Sequence, residues 1–447
     1  MYLAITKALS EDIVSGKLPS GYRLPPQREL AHKIGVALGT VTKAYIEAEK
    51  RGLIRSEGRR GTFIGGSGRP KSSLSQLINT NARAVDFGHN HPNYGDNPDL
   101  SLALKRAARD PNVRQLLHYP PSAGMPRHRE AGARWLSWLG IEVDPDSVMI
   151  TAGAQHALSI ILAAIAERND IILTDTYTYP GMKAVAGLLG LQLMGIQMDN
   201  GGILPDLIDD ICNHRNIRAI YLNPTWQNPT GIIYSEKRRQ EIAELAERHD
   251  FIIIEDEILR PLMESPPPFI SSYAPQRSFV VMSSSKTIAA GLRTGFISVP
   301  VKYRQRVIDS LQTSLLSIAP LPVEILCGWI NDGTAEKTIL RRRTEIVRRS
   351  KMAKTILETY SISPLPVCQH LWLHLPDTWT GNSFTIEASR RDVIVTPAEL
   401  FAVDSKAPMN AVRICLANET SRQTVRQGLE IIASILEGTP LQDSATV

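Results

Sequence analysis

The sequence predicts a two-part α/β protein: a small basic head of helix–turn–helix type with a two-stranded wing, then a large domain on a mostly parallel sheet. Three observations predict it. At 447 residues the chain is too long for one ordinary domain. From about residue 145, short apolar runs alternate with helical patterns, as when crossover helices join parallel strands. The positive charge is confined to one end. Residues 1–70 hold 12 of the 50 Lys/Arg and 6 of the 45 Asp/Glu, an excess of six, whereas the remaining 38 and 39 nearly cancel. A basic head on a neutral body is the footprint of a polyanion partner, although a merely solvated basic face gives the same count.

Composition excludes several classes. A hydrophobic fraction of 43% with no apolar run near the roughly 20 residues of a membrane span predicts a globular protein that does not enter a membrane. Lys7, Glu11, Asp12 and Lys17 interrupt the N-terminal stretch in an amphipathic pattern, which is unlike a signal peptide and predicts a cytoplasmic chain. The four cysteines form no C-x-x-C pair, so neither a disulfide frame nor a metal site is expected.

In the head, residues 1–65, helical spacing of Leu3, Ile5, Ala8, Leu9 and Ile13 ends at Gly16. A second helix is predicted over Gln27–Ile34, with Leu30, Ala31 and Ile34 inward and Gly35 as its stop. A third spans about Leu38–Arg51. Val41, Ala44, Tyr45 and Ala48 form its buried face, and Thr40, Thr42 and Lys43 lie opposite, free to enter a DNA groove. Strands at Leu53–Ser56 and Thr62–Ile64 flank Arg59 and Arg60, a basic wing tip suited to phosphates or a minor groove. Residues 66–80 are Gly/Ser/Pro-rich and read as a linker.

These motifs resemble the GntR-type winged helix. Gly21-Tyr-Arg-Leu-Pro-Pro-Gln-Arg-Glu-Leu-Ala31 is similar to that family's P-G-x-R-L-P-S-x-R-E-L-A segment, and Thr40-Val41 through Tyr45 and Gly61-Thr62-Phe63 match its later motifs. The resemblance implies double-stranded operator DNA as the partner, with Arg28 and Lys43 on its backbone and the wing arginines assisting. Leu38-Gly39 stands where many relatives carry arginine, and a leucine cannot make a bidentate contact to guanine.

In the body, residues 81–447, strands are predicted at Ser147–Thr151, Asp170–Thr174, Arg218–Leu222, Phe251–Glu255, Ser278–Met282 and Thr294–Val299, with helices over Gln155–Glu167 and Glu236–Arg248. Ligands bind such sheets beyond the carboxyl ends of the strands. Those ends deliver Gly153-Ala154-Gln155 at a helix start, Asn228 in an N-P-T-G block, Asp256, Ser283 and Ser285 with Lys286, and Arg293. A lone lysine is ordinarily a solvated charge, and a lone aspartate after a strand is ordinarily a turn former. The conjunction is what needs explaining, and pyridoxal phosphate needs this set. Its aldehyde takes a lysine amine in a Schiff base (Lys286), its ring nitrogen a carboxylate (Asp256), and its ring oxygen an amide (Asn228). Its phosphate takes hydroxyls, a guanidinium and helix-terminal N–H groups: Ser283, Ser285, Arg293 and Gly153–Gln155.

The body resembles the fold-type I aminotransferases, with a large α/β domain and a smaller C-terminal α+β domain. The whole resembles the MocR-type regulators, which join such a body to a GntR head. The resemblance implies that Tyr179 stacks on the cofactor ring and that Tyr119, in the segment running through Gly124, reaches the partner's phosphate in a homodimer. It also implies that Gly124 and Arg413 serve substrate binding, the arginine holding an α-carboxylate. Ile258 and Leu259 replace the tyrosine usual after the aspartate, and Ala154 replaces a common serine. The reading expected is a regulator whose body senses pyridoxal phosphate or an amino compound at Lys286. A working aminotransferase and a plain dimerisation scaffold are the alternatives.

Overall fold

Apolar spacing in the first fifty residues resolves into three helices, α1 (Tyr2–Val14), α2 (Gln27–Ile34) and α3 (Leu38–Lys50), followed by the antiparallel strands β1 (Ile54–Ser56) and β2 (Thr62–Ile64). The computed structural model describes residues 2–14, 18, 22–50, 53–56, 61–64, 84–92, 97–362, 367–404 and 407–438. The chain divides into two units, Met1–Gln76 and Leu77–Val447. Arg59, Arg60 and the predicted linker lie outside the described residues.

Leu24, Ala31, Val41, Tyr45, Ala48, Ile54 and Ile64 form the core of the first unit. Two hydrogen bonds buckle α3 onto the start of α2: Thr42 Oγ1 donates to Gln27 Oε1 at 2.8 Å, and Tyr45 Oη donates to the Pro25 carbonyl at 2.9 Å. Ile34, expected inward, is instead 43% exposed. Gly35 takes a left-handed conformation (φ 67°) that only glycine adopts without strain, and the turn brings Val36 onto the core in its place.

In the second unit seven strands form one sheet in the order Val148–Thr151, Gly295–Ser298, Ser278–Ser283, Ile252–Asp256, Ile217–Leu222, Ile171–Asp175, Gln192–Ile196. Only Gly295–Ser298 runs antiparallel to its neighbours. The edge strand Gln192–Ile196 was not expected; most of its residues are only half-buried and it carries no run of β-branched side chains. The central strands are buried on both faces, hence their continuous apolar character. Ala154–Ile165 and Glu236–His249 pack on opposite faces, each within its own apolar cluster.

A smaller three-stranded antiparallel sheet follows, with Ala411–Cys415 between His370–His374 and Thr396–Pro397. The helix Gly381–Arg390 packs beside it, and Arg422–Leu436 packs against that helix. Val85–Asp86 pairs with Val393–Ile394, which sets the segment after it beside the late strand that carries Arg413. No helix among the described residues is long and apolar enough to cross a membrane.

Candidate functional site

Asp256 is the last residue of its strand and is 2% exposed. Such a carboxylate needs donors, and the neighbouring strand supplies them. Tyr221 Oη donates to Asp256 Oδ2 at 2.8 Å, and Asn223 Nδ2 donates to the Asp256 carbonyl at 3.3 Å. The Ile258 N–H reaches Oδ1 at 3.3 Å. Burial nevertheless outweighs these bonds and pushes the carboxyl up to about 6. Tyr221 was not singled out in the sequence, because a tyrosine within an apolar strand reads as core.

The next strand ends at Ser283, whose Oγ accepts from the Ser285 N–H at 3.2 Å and so turns the chain into a single helical turn carrying Lys286. Burial, reinforced by Arg413 and Arg293, draws the Lys286 amine down to about 8. Ser283 Oγ donates to Ser285 Oγ at 3.1 Å, and Arg293 Nη1 donates to the same Ser285 oxygen at 3.1 Å. Arg293 is itself left-handed, with φ 46°. Its guanidinium lies against Gly153, where an added Cβ would come within 2.8 Å of Nη2. Gly153, with φ 84°, caps the helix Ala154–Ile165, whose first-turn N–H groups have no intrahelical acceptor. Two hydroxyls, a guanidinium and a helix N-terminus thus meet at one point. Gln155 Nε2 bonds to the Gly181 carbonyl at 3.0 Å, while its buried Oε1 has no partner among the described residues.

Tyr179 caps the helix Pro180–Leu189 and lies close enough to Asp256, Arg293 and Arg413 to interact electrostatically with all three; burial pushes its hydroxyl up to about 12. Arg413 is 5% exposed. Its Nη1 donates to Asn228 Oδ1 at 2.9 Å, and its Nη2 donates to the Gly88 carbonyl at 2.6 Å. The Arg413 Nε is buried without a partner among the described residues. The bond to Asn228 occupies the amide's acceptor end.

Two further expected residues have settings of their own. Tyr119 is 83% exposed, beside Leu117 at 88%. Gly124 has a local packing reason: with φ 100°, an added Cβ would fall 2.2 Å from Ile150 Cγ1. In the head, Arg28 and Lys43 are exposed and Thr40 half-buried, but the Thr42 hydroxyl is not free as expected, being held by Gln27.

Residues 82–432 match the family model described as aminotransferase class I and II. The chain belongs to that family. Residues 1–64 match the model of bacterial regulatory proteins of the gntR family, so this aminotransferase-family chain has the two-domain make-up of the MocR-type regulators. It is 28% identical over 437 residues to the uncharacterized HTH-type transcriptional regulator YdeF of Bacillus subtilis, covering 98% of this chain and 94% of that protein. It is 25% identical to the vitamin B6 salvage pathway transcriptional repressor PtsJ of Salmonella typhimurium, covering 92% and 93%. In fold, the body is similar to an archaeal alanine:glyoxylate aminotransferase (TM-score 0.74, 24% identity, 81% of this chain and 93% of that one). LysN, the α-aminoadipate aminotransferase of Thermus thermophilus, is equally similar (TM-score 0.74, 21% identity, 83% and 96%).

Proposed function

We propose that this chain is a DNA-binding transcriptional regulator of the cytoplasm whose aminotransferase-type body binds pyridoxal phosphate. On this reading the body responds, at Lys286, to that cofactor or to an amino compound. One observation carries it: a gntR-type head is joined to a body that keeps Lys286, Asp256, Asn228, Arg293 and Arg413 around one rim. The regulator names of the full-length relatives support the first half, and the vitamin B6 repressor among them is in keeping with the second.

The residues fit the cofactor chemically. Bound there, pyridoxal phosphate would supply an electron-withdrawing ring and an aldehyde that bonds to a lysine amine. Lys286, drawn down to about 8, carries an appreciable unprotonated fraction near neutral pH and would hold the aldehyde end. Asp256, oriented by Tyr221, would hold the ring nitrogen. Ser283, Ser285, Arg293 and the start of the helix Ala154–Ile165 would hold the phosphate. Because Asn228 accepts from Arg413, its amide NH2 would face the ring oxygen, and Tyr179 would cover the ring. Arg413, with its Nε to spare, would take an α-carboxylate. Tyr119 and Leu117, both largely exposed, would be covered by a second copy, with Tyr119 reaching that copy's phosphate site. Gly124, close-packed on Ile150, would fix the turn that follows Tyr119.

A signal requires the ligand to bind two states of the chain with different affinity. On the DNA side, Arg28 and Lys43 would contact phosphates, with Thr40 and Thr42 at the groove edge and Arg59 and Arg60 on the wing. The test is full-chain binding to its own promoter region across a salt series. Log affinity should fall linearly with log salt, and R59A/R60A should reduce the slope by up to about two. No binding to any promoter fragment would sink the reading. A second reading, an active aminotransferase, is favoured by that same Arg413 Nε; keto-acid release from amino acids would decide for it.

A further inference from the structure

The segment Phe87–Pro92, which follows the strand Val85–Asp86, carries two histidines to which no role has been given above. His89 is anchored: its Nδ1 lies 2.5 Å from Asp86 Oδ2, while Asp86 Oδ1 accepts from the Gly88 and His89 N–H groups at 2.8 and 3.2 Å. The His91 ring stacks on His89, with centroids 5.5 Å apart and planes 20° from parallel. His91 Nδ1 is buried and has no hydrogen-bond partner among the described residues. Asn90, between the two histidines in sequence, accepts from the Gln369 amide, and both Pro92 and Gln369 line the same cavity as Lys286.

The charged and titratable groups around the His91 ring are Lys286 and Arg293 from the rim, and His89 and Asp86 from its own segment. Farther along the cavity stand Arg342, Glu345 and Arg349 of the helix Thr334–Ile356, where Glu345 pairs with Arg349 and Arg422. Burial, with Lys286 next in weight, holds the His91 imidazole down at about 4. An imidazole withdrawn from water and set among cations is neutral near pH 7. Like any neutral imidazole it keeps one unprotonated ring nitrogen able to take up a proton.

We propose that His91 takes up a proton from solvent when an anionic ligand fills the site at Lys286, so that ligand binding and protonation are linked through this one ring. The proposal rests on the reading of Lys286 and Arg293 as the cofactor site. A bound phosphate sets negative charge against these two cations and lifts the share of the depression that they contribute, while burial still holds the ring below its ordinary value. Asp86, behind the stacked His89, then favours the imidazolium. By linkage, the ligand binds more tightly at the lower pH, and that gain is lost as pH rises through the bound-state value.

The test is calorimetric titration of the full chain with pyridoxal phosphate, in buffers of different ionisation enthalpy, which counts protons exchanged on binding. Proton exchange at the lysine and the ring cancels between wild type and His91→Gln, which keeps a polar side chain but cannot titrate. At pH 5 the wild type should take up measurably more protons on binding than the variant, and at pH 8 the difference should vanish. His91→Asn repeats the comparison should glutamine disturb the loop, and His89→Gln should retain most of the uptake. Equal proton counts in wild type and both His91 variants, all binding the cofactor, overturn the proposal while leaving the site reading intact. Loss of the uptake in His89→Gln with His91 present overturns the choice of ring. Failure of wild type to bind pyridoxal phosphate overturns the site reading, and this proposal with it.

Discussion

At Asp256 the burial that raises the carboxyl and the donors that oppose it come from different strands. Tyr221, thirty-five positions earlier, contributes the shortest of those bonds, at 2.8 Å. Lost with Tyr221→Phe, a hydrogen bond of this kind is worth on the order of 1 kcal/mol. The variant should therefore bind pyridoxal phosphate about five- to tenfold more weakly in an absorbance titration; unchanged affinity would remove Tyr221 from the site. Asp175 is a second buried carboxyl, bonded to Tyr234 and Gln227, and burial pushes it up to about 7. Its unfolded value is near 4, so the folded state binds the proton more tightly. The stabilisation is fully present below about pH 4 and is lost as pH rises through about 7. Urea midpoints of wild type should thus fall between pH 5 and 8 more steeply than those of Asp175→Asn; parallel slopes would contradict it. Lys286 and Asp256 were legible in the sequence because each follows an apolar run at a strand end, and Arg293 because it stands just before another. Tyr221 and His91 were not, because their settings depend on side chains from distant segments.

Elements were legible where the buried face is continuous and obscure where it is not. The five inner strands of the large sheet read as apolar runs, whereas the edge strand Gln192–Ile196, half in water, offered no such run. Ile34 misled because it is the last residue of α2: Gly35 turns the chain there, and Val36 packs against the core in its place. The sequence also gave no sign that Val85–Asp86 would pair with Val393–Ile394, a contact across some three hundred residues that positions the histidine segment. The turn before the helix Pro126–Trp138 permits a direct test of packing. Gly124→Ala places a methyl 2.2 Å from Ile150 Cγ1 at a positive φ, a combination that costs about 1–3 kcal/mol. The body's thermal transition should fall by several degrees, and an unshifted transition would show that the turn relaxes freely.

On the scale of the whole molecule, charge and chemistry are divided between the two units. The first seventy residues hold all of the excess positive charge, and the second unit holds the rim around Lys286. That division was plain from the sequence, since charge counts and strand-end motifs need no tertiary information. Whether ligand at the rim alters DNA binding by the head is a property of both units together, and neither alone reports it. The most direct measurement is the affinity of the full chain for its promoter region, with and without pyridoxal phosphate and amino compounds, in wild type and Lys286→Ala. A regulator that senses through Lys286 changes its DNA affinity or footprint on adding ligand as wild type, and loses that response in Lys286→Ala while still binding DNA. An identical response in both proteins, or none in wild type, would contradict it.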